Sequence, residues 1–300
     1  MTEERKQEIL EIIRNTNRRP AQTGKPLYPE EIMAYPNLCE EMESISRTVD
    51  GFSYRMDILR AKNRGENCPL FINIHGGGFI GPHRENDTYF SAYMADQIHG
   101  ITVDLDYTLS DAAPYPVALH QCMDALDYVA EHANTWGASA KDISVGGYSA
   151  GGALTAAMGI CCAERGGFVP KLQILCYPPL EYRIPDQYKI DAYDRQIGME
   201  RCKAFADLYF DDKKENFEDI HNSPLYAPRE ILAKQPKTLI LSAGLCNFRY
   251  EDEDYAICLA DAGAEVILKR FPEASHGFIP HFMDGWKEAA DLMVREILEK

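Results

Sequence analysis

The sequence predicts an α/β protein, a mostly parallel central sheet covered by helices on both faces and carrying a helical cap. Three observations lead there. Short, β-branched apolar runs recur along the chain: LFINIH (70–75), ITVDLDY (101–107), ISVGG (143–147), LQILCY (172–177), TLILSA (238–243) and EVILKRF (265–271). Helical patterns lie between them, around 88–99, 116–134, 150–165, 251–263 and 284–299. Runs that are apolar throughout are buried on both faces, and strands alternating with helices pair in parallel. The third observation is an interval from about 179 to 236 that is too long for a plain connection. It reads as an insertion over the carboxyl ends of the strands, where open α/β sheets bind ligands.

The elements before residue 70 are of a different kind. EERKQEILEIIRN (3–15) places Ile9, Leu10, Ile12 and Ile13 on one stripe, which predicts an amphipathic helix. A weaker helical stretch covers 29–43. ISRTVDGFSYRMDILRA then alternates around Asp50-Gly51, the signature of a hairpin with a tight turn, adding antiparallel strands at one edge.

Composition narrows the partners. The chain has 300 residues, 45% of them hydrophobic and 26% charged, as in a globular protein of one core plus decoration. No run approaches the roughly 20 apolar residues a membrane helix needs. MTEERKQEILEIIRNTNRRP lacks the apolar core of a secretory signal, so a cytoplasmic location is expected. The 31 basic and 47 acidic residues give a net charge of −16, which repels phosphate backbones and anionic lipid. Neither a nucleic-acid nor a membrane partner is expected. Nine scattered cysteines show no disulfide framework and no zinc spacing, and read as reduced thiols.

Three segments can carry chemistry. GGYSAGG (146–152) contains Gly147-Tyr148-Ser149-Ala150-Gly151 between a strand and a helix, where glycines permit the sharp turn that lifts a serine hydroxyl out. Ala150 N–H would then sit at a helix N-terminus. A glycine-rich turn without chemistry is the alternative. IHGGGFIG (74–81) follows another strand, and its glycines let backbone N–H groups face a cavity as donors to an oxyanion or phosphate. Without GK[ST] or GxGxxG, the phosphate reading is the weaker one. ASHGF (274–278) puts His276 just beyond the last strand. A lone histidine is usually structural, but all three segments follow strands and so reach the same sheet edge.

With these residues the chain resembles the hormone-sensitive-lipase-like branch of the α/β-hydrolase fold, the bacterial carboxylesterases and acetyl esterases. The resemblance covers roughly 45–300 and rests on HGGGF (75–79), DYTLSDAAPYPVAL (106–119), GYSAGG (147–152), YPP (177–179), SPLYAP (223–228) and SHGF (275–278). It implies a single domain over 1–300, capped by about 1–43 and 180–225. Ser149 would be the nucleophile, His276 the general base and acid, and Gly77, Gly78 and Ala150 the oxyanion-hole donors. The implied reaction is hydrolysis of short-chain acyl esters through an acyl-enzyme, with a small ester as partner and neither metal nor organic cofactor. Pairing of subunits is left open. A serine peptidase on the same fold would normally bring a propeller domain, which nothing before residue 70 could encode.

One position departs from the family. Laying AGLCNFRYEDEDYA on its D-x-L-x-[DE]-E pattern puts Cys246 where the triad acid belongs. A thiol is a weak hydrogen-bond partner without the negative charge that stabilises an imidazolium. In serine proteases, losing the acid costs on the order of 10⁴ in kcat. Three explanations stay open: Glu251, Asp252 or Glu181 replaces the acid; His276 works unassisted and slowly; or catalysis is lost and a small-ligand binding protein remains. The acids at 251–254 also read as a solvated first turn of a helix, and Cys246 as a small buried residue.

Overall fold

A computed structural model describes residues 1–16, 27–184 and 197–299. The hairpin forms as expected from Glu43–Val49 (β1) and Phe52–Arg60 (β2). Asp50 and Gly51 both take positive φ, 53° and 84°, as a two-residue turn matched to strand twist requires. The remaining strands are Cys68–Ile74 (β3), Ile101–Asp106 (β4), Ala138–Tyr148 (β5), Leu172–Cys176 (β6), Lys237–Ala243 (β7) and Val266–Phe271 (β8). They form an 8-stranded sheet in the order β1-β2-β4-β3-β5-β6-β7-β8. β1, β2 and β4 pair antiparallel, and every contact from β4 to β8 is parallel.

The helices are Glu3–Asn15 (α1), Glu30–Met33 (α2), Glu85–Gln97 (α3), Val117–His132 (α4), Ala150–Arg165 (α5), Met199–Tyr209 (α6), Glu215–Glu218 (α7), Arg229–Leu232 (α8), Arg249–Ala262 (α9) and Trp286–Leu298 (α10). Side chains on the central strands alternate between two cores. Phe71, Ile174, Leu239 and Leu241 pack with α3 and α10 on one face. Ile72, Ile74 and Val145 pack with α4 and α5 on the other, and Leu175 and Ile240 with α5 and α9. Burial on both faces explains why these strands read as unbroken apolar runs.

The expectation for 29–43 needs correcting. Only one turn of α-helix forms after Pro29, followed by a 3₁₀ turn at Tyr35–Leu38, because Pro36 cannot continue the α-helix. In this segment Cys39 packs with Leu59 of β2, Ala61, and Ala92 and Ala95 of α3. α1 does reach the insertion, where Ile9 and Ile13 pack on Ala204 and Leu208 of α6. Parts of the expected cap, 17–26 and 185–196, lie outside the described residues. All nine cysteines are free thiols. Among the described residues no helix is long and apolar enough to cross a membrane.

α5 starts unusually close to β3. A Cβ on Gly151 would stand 2.5 Å from the His75 carbonyl oxygen and nearer still to that of Ile74. Gly151→Ala is therefore expected to destabilise the protein by about 3 kcal/mol, read as a lower urea midpoint at unchanged m-value.

Candidate active site

Consecutive strand ends are tied to one another by backbone hydrogen bonds. Ser149 N–H donates to the Cys176 carbonyl (2.9 Å), Tyr177 N–H to Leu241 (2.9 Å) and Gly244 N–H to Phe271 (2.8 Å). The segments after β5, β6, β7 and β8 are thereby held in line along one edge. Ser149 sits at the top of β5 with φ 53° and ψ −118°, a strained conformation for a residue with a Cβ. Its C=O accepts from Ala153 N–H, so α5 begins immediately behind it.

The glycine loop approaches from β3. A Cβ on Gly76 would lie 2.7 Å from the Tyr148 carbonyl oxygen and 3.4 Å from Ser149 Cβ, so loop and serine meet only because residue 76 has no side chain. Gly77 and Gly78 have φ of 127° and 63°. Among the described residues, the N–H groups of Gly77, Gly78 and Ala150 make no hydrogen bond. Around them the loop is firmly held: Phe79 C=O accepts from Ser110 N–H and Oγ at 2.8 and 2.9 Å. His75, fully buried, stacks on Tyr107 at 4.3 Å. His83 Nε2 meets Asp104 Oδ2 at 2.7 Å, and their opposite charges push the imidazole up to about 9 despite burial.

His276 follows β8. Leu245 N–H donates to the Ala274 carbonyl (3.1 Å), which joins the loops after β7 and β8. That contact brings Cys246 Sγ to 3.0 Å from His276 Nδ1. The sulfur also accepts from Phe248 N–H at 3.3 Å. Tyr177 and Phe248 flank the imidazole edge-on at 5.0 and 5.7 Å. Burial and the nearby His281 push His276 down to about 3, and burial with Asp252 behind it holds the Cys246 thiol far above its ordinary value. Imidazole and thiol are thus both neutral at pH 7.

The carboxylates considered as substitutes have other employment. Glu251 Oε2 accepts from Leu180 N–H (2.8 Å), and Glu181 Oε1 from Arg183 N–H and from Ile184 N–H (2.9 Å for the latter). Asp252 is fully buried, its carboxyl pushed up by burial and by Glu251. Neither of its oxygens makes a hydrogen bond of ordinary geometry among the described residues, although the Ser242 hydroxyl lies alongside. The reading of 251 and 252 as a solvated turn is corrected: the first turn of α9 faces inward, with Glu251 6% and Asp252 0% exposed. Glu253, paired with Arg270, lies further toward solvent.

Ser149, Gly76, Gly77, Gly78 and His276 line one cleft of about 580 Å³, whose lining also includes Arg84, Asp87, Arg201 and His281. On the other side of Ser149 lies an apolar pocket of about 30 Å³, walled by Phe79, Tyr182, Cys202, Phe205, Ala206 and Phe248 among others. Phe205 comes so close over Gly78 that a Cβ there would meet its ring at 2.5 Å.

A family described as alpha/beta hydrolase fold matches residues 71–280. This chain belongs to the α/β-hydrolase family. Esterase LipI of Mycobacterium tuberculosis is 30% identical over 217 residues, 71% of this chain and 66% of LipI, so this hydrolase-family chain spans slightly under two thirds of that protein. Bovine hormone-sensitive lipase matches at 29% over 120 residues, 40% of this chain and 16% of the lipase. One of two fungal esterases from Rhizomucor miehei superposes with a TM-score of 0.78 at 26% identity, covering 96% of this chain and 95% of that one.

The family motifs pointed to Ser149, His276 and the glycine loop, and the structure brings them to one cleft. Phe205, Ala206, Cys202 and Tyr182 were missed as pocket walls. Their signal was available in RCKAFADLYF, where 202, 205 and 206 share one helical face. Which neighbour that face meets depends on the cap.

Replacing Cys246 by Asp puts a negative charge at Nδ1 and should raise the His276 pKa from about 3 to above 6, by ring-proton NMR titration. An unchanged titration would show that residue 246 does not set the imidazole's proton affinity.

Proposed function

We propose that this protein is a serine carboxylesterase for short-chain acyl esters. Ser149 is the nucleophile, His276 the general base and acid, and the N–H groups of Gly77, Gly78 and Ala150 the oxyanion donors. The observation that carries the reading is the strained Ser149 turn facing a cleft shared with His276, beside three backbone donors that bond to nothing else among the described residues. Adjacent backbone donors that face a cleft and have no partner within the protein are placed to bind a developing oxyanion. The 30 Å³ pocket beside Ser149 has room for one or two methyl-sized groups, which favours acetyl and propionyl esters. The larger, more polar cleft would receive the alcohol.

In this reading His276 Nε2 takes the Ser149 proton as Oγ attacks the ester carbonyl, and the tetrahedral oxyanion is held by the three amides. The imidazolium returns the proton to the leaving alkoxide, and water then hydrolyses the acyl-enzyme with the roles repeated. Cys246 weakens this cycle twice. A carboxylate only accepts, so it forces the proton onto Nδ1 and leaves Nε2 free as base. A thiol can also donate to Nδ1, which moves the ring proton to Nε2 and blocks it. Nor does a neutral thiol stabilise the imidazolium. The enzyme should therefore be slow, and Cys246→Asp should raise kcat about tenfold or more, whereas Cys246→Ser, a better donor, should not.

Hydrolysis of p-nitrophenyl acetate by wild type and Ser149→Ala tests the reading. Wild type should exceed the variant by about 10³ or more. Equal rates would leave a small-ligand binding protein as the function. The acid limb gives a second check. Only neutral His276 is a base, and its depressed pKa keeps it neutral as pH falls, so kcat/KM should stay flat down to about pH 5. Cys246→Asp should move that limb upward.

A further inference from the structure

The small pocket beside Ser149 and an open groove on the outer side of the cap are separated by very little protein. The groove, about 690 Å³, lies among residues 182–184, α6 and α7, and its apolar lining includes Tyr182, Ile184, Met199, Ala206 and Phe217. Tyr182 and Ala206 belong to both linings. Ala206 contributes one methyl group, so among the described residues the partition is in substance the Tyr182 ring. That ring is firmly supported: its backbone N–H donates to Ser223 Oγ at 3.0 Å, and it meets Phe210 edge-on at 4.8 Å. Phe210 is fully buried and packed in turn against Tyr209 and Phe217.

Phe79 and Phe248, two of the other walls, are held by packing. Phe79 is 3% exposed and stacks on Tyr209 at 3.7 Å. Phe248 belongs to the core shared with α10. Phe205 divides the pocket from the main cleft, since it lines both.

We propose that Tyr182 is the residue that limits acyl-chain length, its ring closing the pocket after the first carbons and keeping the chain from the outer groove. The inference rests on the assignment of this pocket to the acyl group of a Ser149 substrate. With a small side chain at 182, an acyl chain would pass beside Ala206 and lie against Ile184, Met199 and Phe217. Apolar pockets discriminate by roughly 10–200-fold per methylene, so the change in preference should be large.

The test compares wild type, Tyr182→Ala and Tyr182→Phe on p-nitrophenyl acetate and p-nitrophenyl octanoate. Wild type should favour acetate, Tyr182→Ala should raise the octanoate-to-acetate ratio of kcat/KM at least about tenfold, and Tyr182→Phe, which keeps the ring, should retain the wild-type ratio. A folded Tyr182→Ala with the wild-type ratio overturns the proposal, as does a Phe variant that behaves like Ala. Tyr182→Leu carries the same comparison if the Ala variant does not fold. Binding separates this inference from the esterase reading: calorimetry of p-nitrophenyl octanoate with Ser149→Ala and with Ser149→Ala/Tyr182→Ala needs no turnover. Tenfold tighter binding to the double variant supports the role of Tyr182 even if wild type hydrolyses nothing, and equal binding refutes it.

Discussion

The close crossing of β3, β5 and α5 is the constraint on which the site depends. Gly147 and Gly151 lie where a Cβ would run into backbone, and Gly76 lets the loop after β3 lie against Ser149. Only with side chains absent there can the serine take its strained turn while the amides of 77 and 78 arrive from the neighbouring strand. The strain at Ser149 is sustained by its surroundings: its N–H is committed to Cys176, its C=O to α5, and both cores press on the two elements it joins. A site built this way is rigid before any ligand arrives, which is what electrostatic stabilisation of a developing oxyanion requires.

Against that rigid frame, the charge distribution at the histidine is unusual. The buried carboxylates nearby hold backbone N–H groups at Leu180, Arg183 and Ile184 or, as Asp252, lie buried behind the thiol. At His276 Nδ1 itself stands a sulfur that burial keeps protonated. A neutral imidazole thus meets a neutral thiol at a position where a carboxylate would have placed a negative charge. The N–H groups of Gly77, Gly78 and Ala150 do not depend on that charge, since they are backbone groups whose positions depend on glycine packing and on the anchoring of the 75–84 loop.

The insertion carrying α6 shapes the space beside Ser149. α6 turns one face toward Ser149 and the other toward the groove, and Phe79 of the glycine loop stacks on Tyr209 of the same helix. α6 and the glycine loop are therefore packed together. A change on α6 would be felt at Gly78 through Phe205.

The sequence by itself determined the parallel sheet and the hairpin at Asp50-Gly51, and it singled out Ser149, His276 and the glycine loop as segments reaching one sheet edge. These follow from local rules, apolar runs for doubly buried strands and glycines where a turn or close approach admits no side chain. It also exposed Cys246 as the departure from the family's pattern. Only the tertiary structure decided that the sulfur lies at Nδ1, that Glu251 and Asp252 face inward from α9, and that Tyr182 and α6 wall the pocket. Each of those depends on how loops and helices distant in the chain pack together, and neither residue type nor periodicity encodes which neighbour a given face will meet.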